Sequence, residues 1–225
     1  MEKNRLIAFG CSLTYGHGLP DCHEPPKQPG NTHSKMGWPS IISKYMDREC
    51  INMSSPGSSN KKIWNTITNF NFKSDDIVFI QWSYIERTAI LKKDQIIDLG
   101  PWSENSYYET YDTHDSTLMS KLFVSHSNMF LELKNIKVYN IVPGKNELTL
   151  LRFKDTLIDH IPVYLTRMRE LYPLALDKRH PGVECQIMYS KEILKFLDIS
   201  NDLHEYKPFN TFGKIKRNIE FMRNN

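Results

Sequence analysis

Cysteine is sparse and unpatterned: Cys11, Cys22, Cys50 and Cys185 are scattered over 225 residues and none forms a C-x-x-C pair. A disulfide scaffold is not expected, because a chain of this length buries enough apolar surface to need no staples, and free thiols in a reducing compartment are the default. Long hydrophobic runs are also missing. No segment is long enough to span a bilayer, and Met1-Glu2-Lys3-Asn4-Arg5 leads into an apolar stretch that ends at Gly10, too short for a signal peptide. The reading is a soluble, cytoplasmic protein. Neither sign of charge dominates, with 29 Lys and Arg against 26 Asp and Glu. The basic residues form no stripe, so neither nucleic acid nor a membrane surface is expected as a partner.

What is present is an alternation of short apolar runs and amphipathic segments over a length suited to a single domain, residues 1–225. Leu6 to Phe9 reads as a strand buried on both faces, Cys50 to Met53 as a second, Ile77 to Ile80 as the clearest, and "IKVYNIVPG" as a fourth stopped by Pro143 and Gly144. A brief last strand is expected at Leu174 to Leu176. Helices are expected from Pro39, in "NKKIWNTITNF", around Leu118, Leu122, Met129 and Leu133, around Ile158 to Leu171, and from Gly182 to Leu197. Insertions are expected at about 16–38 and 94–114, and a surface helix or frayed tail after Asn201. Strands alternating with helices imply an α/β fold with a mainly parallel sheet covered on both faces. In such sheets ligands bind beyond the carboxyl ends of the strands, where Ser12, Gly57, Gln81 and Ser83 all fall.

A serine hydroxyl is a weak nucleophile that needs a base, and the base needs a third group to hold its tautomer. "LDKRHPG" places Asp177 three residues before His180, a spacing at which a tight turn brings the carboxylate to the imidazole. Pro181 fits the first turn of the helix that follows. Taken alone, a serine such as Ser12 after a strand is more often a helix cap than a nucleophile, and His180-Pro181 a simple turn.

The blocks "FGCSLT" (Phe9 to Thr14), "NMSSPG" (Asn52 to Gly57), "FIQWSYIER" (Phe79 to Arg87) and "DKRHP" (Asp177 to Pro181) resemble, in this order, those of the SGNH or GDSL-type serine hydrolases. The resemblance runs from about Leu6 to Leu197. It implies a three-layer α/β/α flavodoxin-like sandwich and acyl transfer without metal or organic cofactor. Carried over, Ser12 is the nucleophile, His180 the base and Asp177 its orienting group, and the backbone N–H groups of Ser12 and Gly57 form part of the oxyanion hole. Two positions depart from the pattern. Cys11 stands where the serine block usually has Asp, and the third block lacks the Asn that normally donates to the oxyanion. Ser83 is the candidate replacement, with Gln81 or Arg87 behind it. The Trp, small hydroxyl residue and downstream Arg resemble a divergent branch among phage and bacterial proteins of unassigned substrate.

The function expected is therefore a serine esterase or deacylase acting on a small ester, such as an O-acetyl group on a carbohydrate. The alternative is a catalytically weak or inactive binding module on the same scaffold, for an acylated sugar or a protein partner. Arg87 either holds a substrate carboxylate or pairs with Glu86 or a loop acid. His17, Cys22, His23 and His33 crowd the first loop and could bind zinc, but their spacing matches no compact metal motif, so they read as residues at a pocket rim. Trp38 and Trp82 are expected in the core, and the segment from Trp102 to Tyr111 at a substrate rim.

Overall fold

The computed structural model describes residues 3–23, 30–104, 112–153 and 156–199. Four strands, β1 (Arg5–Phe9), β2 (Glu49–Asn52), β3 (Ile77–Gln81) and β6 (Lys137–Ile141), form one parallel sheet in the order β2-β1-β3-β6. Alternation along the central strands explains the layers. Leu6 and Ala8 of β1, with Phe79 of β3, belong to a core shared with Trp38, Ile41 and Ile42 of α2 (Trp38–Tyr45) and with Tyr189, Ile193 and Leu194. Ile7 and Phe9, with Val78 and Ile80, face a second core with Ile63 and Ile67 of α3 (Asn60–Thr68). Leu6 to Phe9 are at most 1% exposed, and burial of each large apolar side chain contributes about 1.5–3 kcal/mol.

At the amino end of the sheet, Arg5 grips Asp76 through two hydrogen bonds of 2.8 and 2.5 Å. At the carboxyl end the strand order reverses between β1 and β3, opening the crevice that doubly wound sheets use for ligands. Ser12, the first residue of α1 (Ser12–Tyr15), lies there.

Between β3 and β6 a hairpin of β4 (Thr88–Leu91) and β5 (Ile96–Leu99) precedes the long helix α4 (Thr113–Leu133). The insertion thus begins several residues before 94, and its residues 105–111 lie outside those described. Helix α4 corrects one expectation. Leu118, Leu122, Met129 and Leu133 are 51–84% exposed, and the buried face is Ser116, Ser120, Val124, Ser127 and Leu131. Both stripes have helical spacing, so periodicity identifies the helix but not its inner face, and the short serine side chains let α4 approach α3 closely.

After β6 come a 3₁₀ segment (Lys145–Leu151), the small hairpin β7 (Arg152–Phe153) and β8 (Thr156–Leu157), α5 (Leu165–Arg169) and α6 (Val183–Phe196). The helix expected around Ile158 to Leu171 is thus only α5, and the last strand expected at Leu174 to Leu176 does not form. That segment makes one antiparallel bridge, Leu174 to Pro181, because the chain turns back on itself with Ala175 N–H donating to His180 O at 2.8 Å. Gly182 caps α6, which leaves Pro181 outside the helix. The segment after Asn201 lies outside the described residues. Among those described, no helix is long and apolar enough to cross a membrane.

Candidate active site

Three corners at the carboxyl ends of β1, β2 and β3 build the floor of the site. After β1, Cys11 stays extended and the chain enters α1 at Ser12, which is 5% exposed. The Ser12 carbonyl accepts from the N–H groups of Gly16 and His17, both at 3.1 Å, and curls the chain back over the crevice. After β2, Asn52 donates to Thr14 O at 2.9 Å and accepts from Ser54, tying the second corner to the first. Ser55-Pro56-Gly57-Ser58 then makes a turn closed by Ser58 N–H to Ser55 O at 3.2 Å. Proline at its second position and φ +77° at Gly57 are the marks of a type II turn, which favours glycine there. Neither the Ser12 nor the Gly57 N–H donates to a described residue.

The third corner is held from below. Gln81 accepts from Thr14 Oγ1 at 2.7 Å and donates to Tyr189 Oη at 3.3 Å, so its side chain is spent inside the core. Ser83 is fully buried. Its backbone is clamped by the Asn60 carboxamide, which accepts from Ser83 N–H at 2.7 Å and donates to Ser83 O at 3.2 Å, and its hydroxyl accepts from Arg87 Nη1 at 3.3 Å.

The sequence places Asp177 and His180 in one turn, and the structure joins them: His180 Nδ1 lies 2.5 Å from Asp177 Oδ2. Asp177 Oδ1 also accepts the N–H groups of Arg179 and His180, each at 3.0 Å. Burial alone would raise the Asp177 pKa. Hydrogen bonds from the His180 ring and from these two backbone groups outweigh it and hold the carboxyl well below the usual carboxylate range. This turn packs against the segment that follows Ser12. Leu176 N–H donates to Gly18 O at 2.9 Å, and a Cβ on Gly18 would stand 2.6 Å from Asp177 Cγ. The rings of His17 and His180 stack with centroids 4.4 Å apart. Burial, with the charge His180 can carry, lowers the His17 pKa and favours a neutral ring there.

Ser12 Oγ itself makes no hydrogen bond to a described residue, His180 included. In unliganded sites such contacts are often long. His17, Asp177 and His180 offer ligand atoms within 4.8 Å of one another, the one such group among the described residues. The other loop residues considered for zinc do not join it, and His33 bonds Ser54 O at 3.0 Å instead.

A wall rises beside Gly57. The Arg87 guanidinium lies 4.8 Å from the Tyr84 ring centre and 5.1 Å from that of Trp102, and the Trp102 ring comes within 3.6 Å of a Cβ built on Gly57. Arg87 has no ion pair with Glu86 or any other described acid. Trp38 and Trp82 are fully buried, as their patterns suggest, whereas Trp102 is 54% exposed. Lys62 of α3 staples the hairpin that carries Trp102, bonding Asp98 at 2.6 Å and Ser55 at 3.1 Å. Burial raises the Tyr84 pKa to about 12, which keeps the phenol protonated. Sequence reasoning missed Asn52, Asn60 and Lys62 as organisers of the site, and read His17 only as one of several rim residues. Asn60 opens the helix after the second corner, a position at which its side chain can reach the third.

No protein-family model matches the chain, and no curated protein matches it. Solved structures do. A carbohydrate esterase whose active site is described as displaying divergent catalytic and non-catalytic binding functions matches 90% of this chain and 70% of its own, at 10% identity and TM-score 0.54. An acetyl xylan esterase from the rumen bacterium Butyrivibrio proteoclasticus matches 92% of this chain and 66% of its own, at 10% identity and TM-score 0.57. The psychrotrophic esterase EstA from Pseudoalteromonas sp. matches 87% of this chain and 99% of its own, at 11% identity and TM-score 0.52. The fold expected from the sequence blocks, that of the SGNH or GDSL-type hydrolases, is the fold observed.

Proposed function

We propose that this chain, built on the GDSL hydrolase fold, is a serine esterase that cleaves small acyl groups from a carbohydrate. The observation that carries the reading is the His180–Asp177 pair, packed against the residues that directly follow Ser12. In the reaction Ser12 Oγ attacks the ester carbonyl carbon while His180 Nε2 takes the hydroxyl proton, and the carbonyl π electrons move to oxygen. The backbone N–H groups of Ser12 and Gly57 are free to donate to that oxyanion. Collapse expels the sugar alkoxide, which takes the proton from His180, and leaves an acyl-Ser12. Water, deprotonated by His180, then releases the acid. Asp177 stays ionised throughout, fixes the His180 tautomer through Nδ1–H and offsets the charge on the imidazolium. Ser83, which is buried, acts on the site through Arg87.

Fluorophosphonate labelling followed by peptide mass mapping tests this. Label is expected on Ser12, lost in Ser12→Ala and strongly slowed in His180→Ala. A folded protein that takes no label with probes of several sizes overturns the reading. One observation favours the second reading, a binding module for an acylated sugar: Ser83, the candidate replacement for the missing asparagine, is buried and its hydroxyl faces Arg87. Losing one oxyanion donor costs about a hundredfold or more in turnover. Sugar binding without label or hydrolysis would establish the module.

A further inference from the structure

The wall beside Gly57 carries more information than a generic sugar platform. Arginine presents five N–H donors in a planar fork, and only one from Arg87 is used among the described residues, on Ser83 Oγ at 3.3 Å. No described carboxylate lies within ion-pair distance of it. The guanidinium is instead held by two aromatic faces, Tyr84 and Trp102. Those contacts fix its plane and strip some of its water, which strengthens its attraction for an anion that arrives later.

Trp102 is placed with equal care. A Cβ on Gly100 would come within 2.4–2.8 Å of the indole, so glycine is what lets the ring fold back over its own turn. That turn is closed by Ser103 N–H to Gly100 O at 2.8 Å and Gly100 N–H to Ser103 Oγ at 3.0 Å. The indole consequently reaches from the Gly57 corner to the Arg87 fork with more than half of its surface open. The part of the indole left open suits the C–H face of a pyranose, and the guanidinium held against the same ring suits a carboxylate on that sugar.

From this juxtaposition we infer that Arg87 and Trp102 form a subsite for an acidic sugar, a pyranose bearing a carboxylate, whose O-acyl group is thereby presented to Ser12. The last clause rests on the esterase reading; the binding of the acidic sugar does not.

Titration calorimetry of the full chain carrying Ser12→Ala with D-glucuronate, beside D-glucose, tests the subsite without turnover. Glucuronate is expected to bind about ten- to hundredfold more tightly than glucose, as a charge-assisted bidentate contact supplies. Arg87→Gln should abolish that preference, Arg87→Lys should keep part of it, and Trp102→Ala should weaken both sugars. Equal binding of the two sugars overturns the inference. So does a preference that survives Arg87→Gln. Turnover of 4-nitrophenyl acetate by the otherwise native chain separates the remaining cases. If Arg87→Gln lowers kcat on this neutral ester as much as on an O-acetylated methyl glucuronoside, Arg87 serves the oxyanion and the subsite is refuted. If the native chain does not hydrolyse the neutral ester at all, the esterase reading falls, while a glucuronate preference in calorimetry still upholds the subsite.

Discussion

Gly18→Ala puts the coupling between the loop after Ser12 and the Asp177–His180 turn to a direct test. Gly18 has φ +81°, where an L side chain costs about 1–2 kcal/mol. The new methyl would also stand 2.6 Å from Asp177 Cγ, and restoring an ordinary contact of 3.4 Å requires the carboxylate to retreat by about 0.8 Å, the difference of the two. It is not free to do so, because it accepts from two backbone N–H groups and from His180. Losing one hydrogen bond to a charged group costs a further 1.5–3 kcal/mol or so. The sum, about 2.5–5 kcal/mol, lowers Tm by roughly 5–20 °C in a domain of this size. If Asp177 orients the base, kcat on 4-nitrophenyl acetate falls by about 10³–10⁴ as well. Gly16→Ala is the control, since φ is +78° there too and the methyl meets Ser34 rather than Asp177. Thermal melts and steady-state kinetics on both variants decide the matter. Should Gly18→Ala melt early yet keep kcat within about threefold of the parent, the placement of the Asp177 carboxylate is not what activates His180.

Two further outcomes are expected. His17, whose pKa is lowered from 6.5 by burial and by His180, resists protonation in the folded chain, with Asp177 opposing that shift and His23 adding to it. As pH falls below 6.5 the unfolded chain gains a proton that the folded one refuses, so stability declines until the folded pKa is passed, and His17→Asn should flatten this part of a Tm-against-pH curve. Lys62→Met strands Asp98, whose Oδ1 already lacks a hydrogen-bond partner among the described residues. Stability should drop by about 1–3 kcal/mol, less than for a fully buried pair, with faster protease cleavage between residues 88 and 104. Lys62→Met with Asp98→Leu should recover most of the loss, and a double variant no better than the single would refute the staple.

Much of the fold was legible because β1 and β3 carry continuous apolar runs and β6 a largely apolar one, closed soon after by Gly10, Ser83 and Pro143, and those ends are also where the site lies. Asp177 and His180 could be paired from their spacing because a turn is a local structure. What escaped was non-local. The stacking of His17 on His180, and the reach of Asn60 to Ser83, depend on how separate corners meet in space. Helix α4 was found but its inner face was not, since serines and leucines alternate there at the same period and only the close approach to α3 selects the serines. The hairpin β4–β5 was missed in its first half because its strands are only four residues each and mixed in polarity. Ser83 looked available as a donor in the sequence; its burial under Arg87 follows from the clamp by Asn60, which no local pattern reveals.

In this sequence the loop that carries Ser12 comes long before the Asp177–His180 turn, which lies just ahead of α6. That helix is seated through Gln186, which accepts from Trp38 N–H at 3.1 Å, and through Tyr189, edge-on to Trp38. During synthesis Ser12 therefore leaves the ribosome long before its partner exists. If Ser12 and His180 act together as proposed, a chain broken off ahead of His180 carries the serine without its base and would be chemically silent. Hydrolysis of a chromogenic ester would accordingly report on completed, correctly docked molecules, a property useful for following folding of this protein in a crude extract.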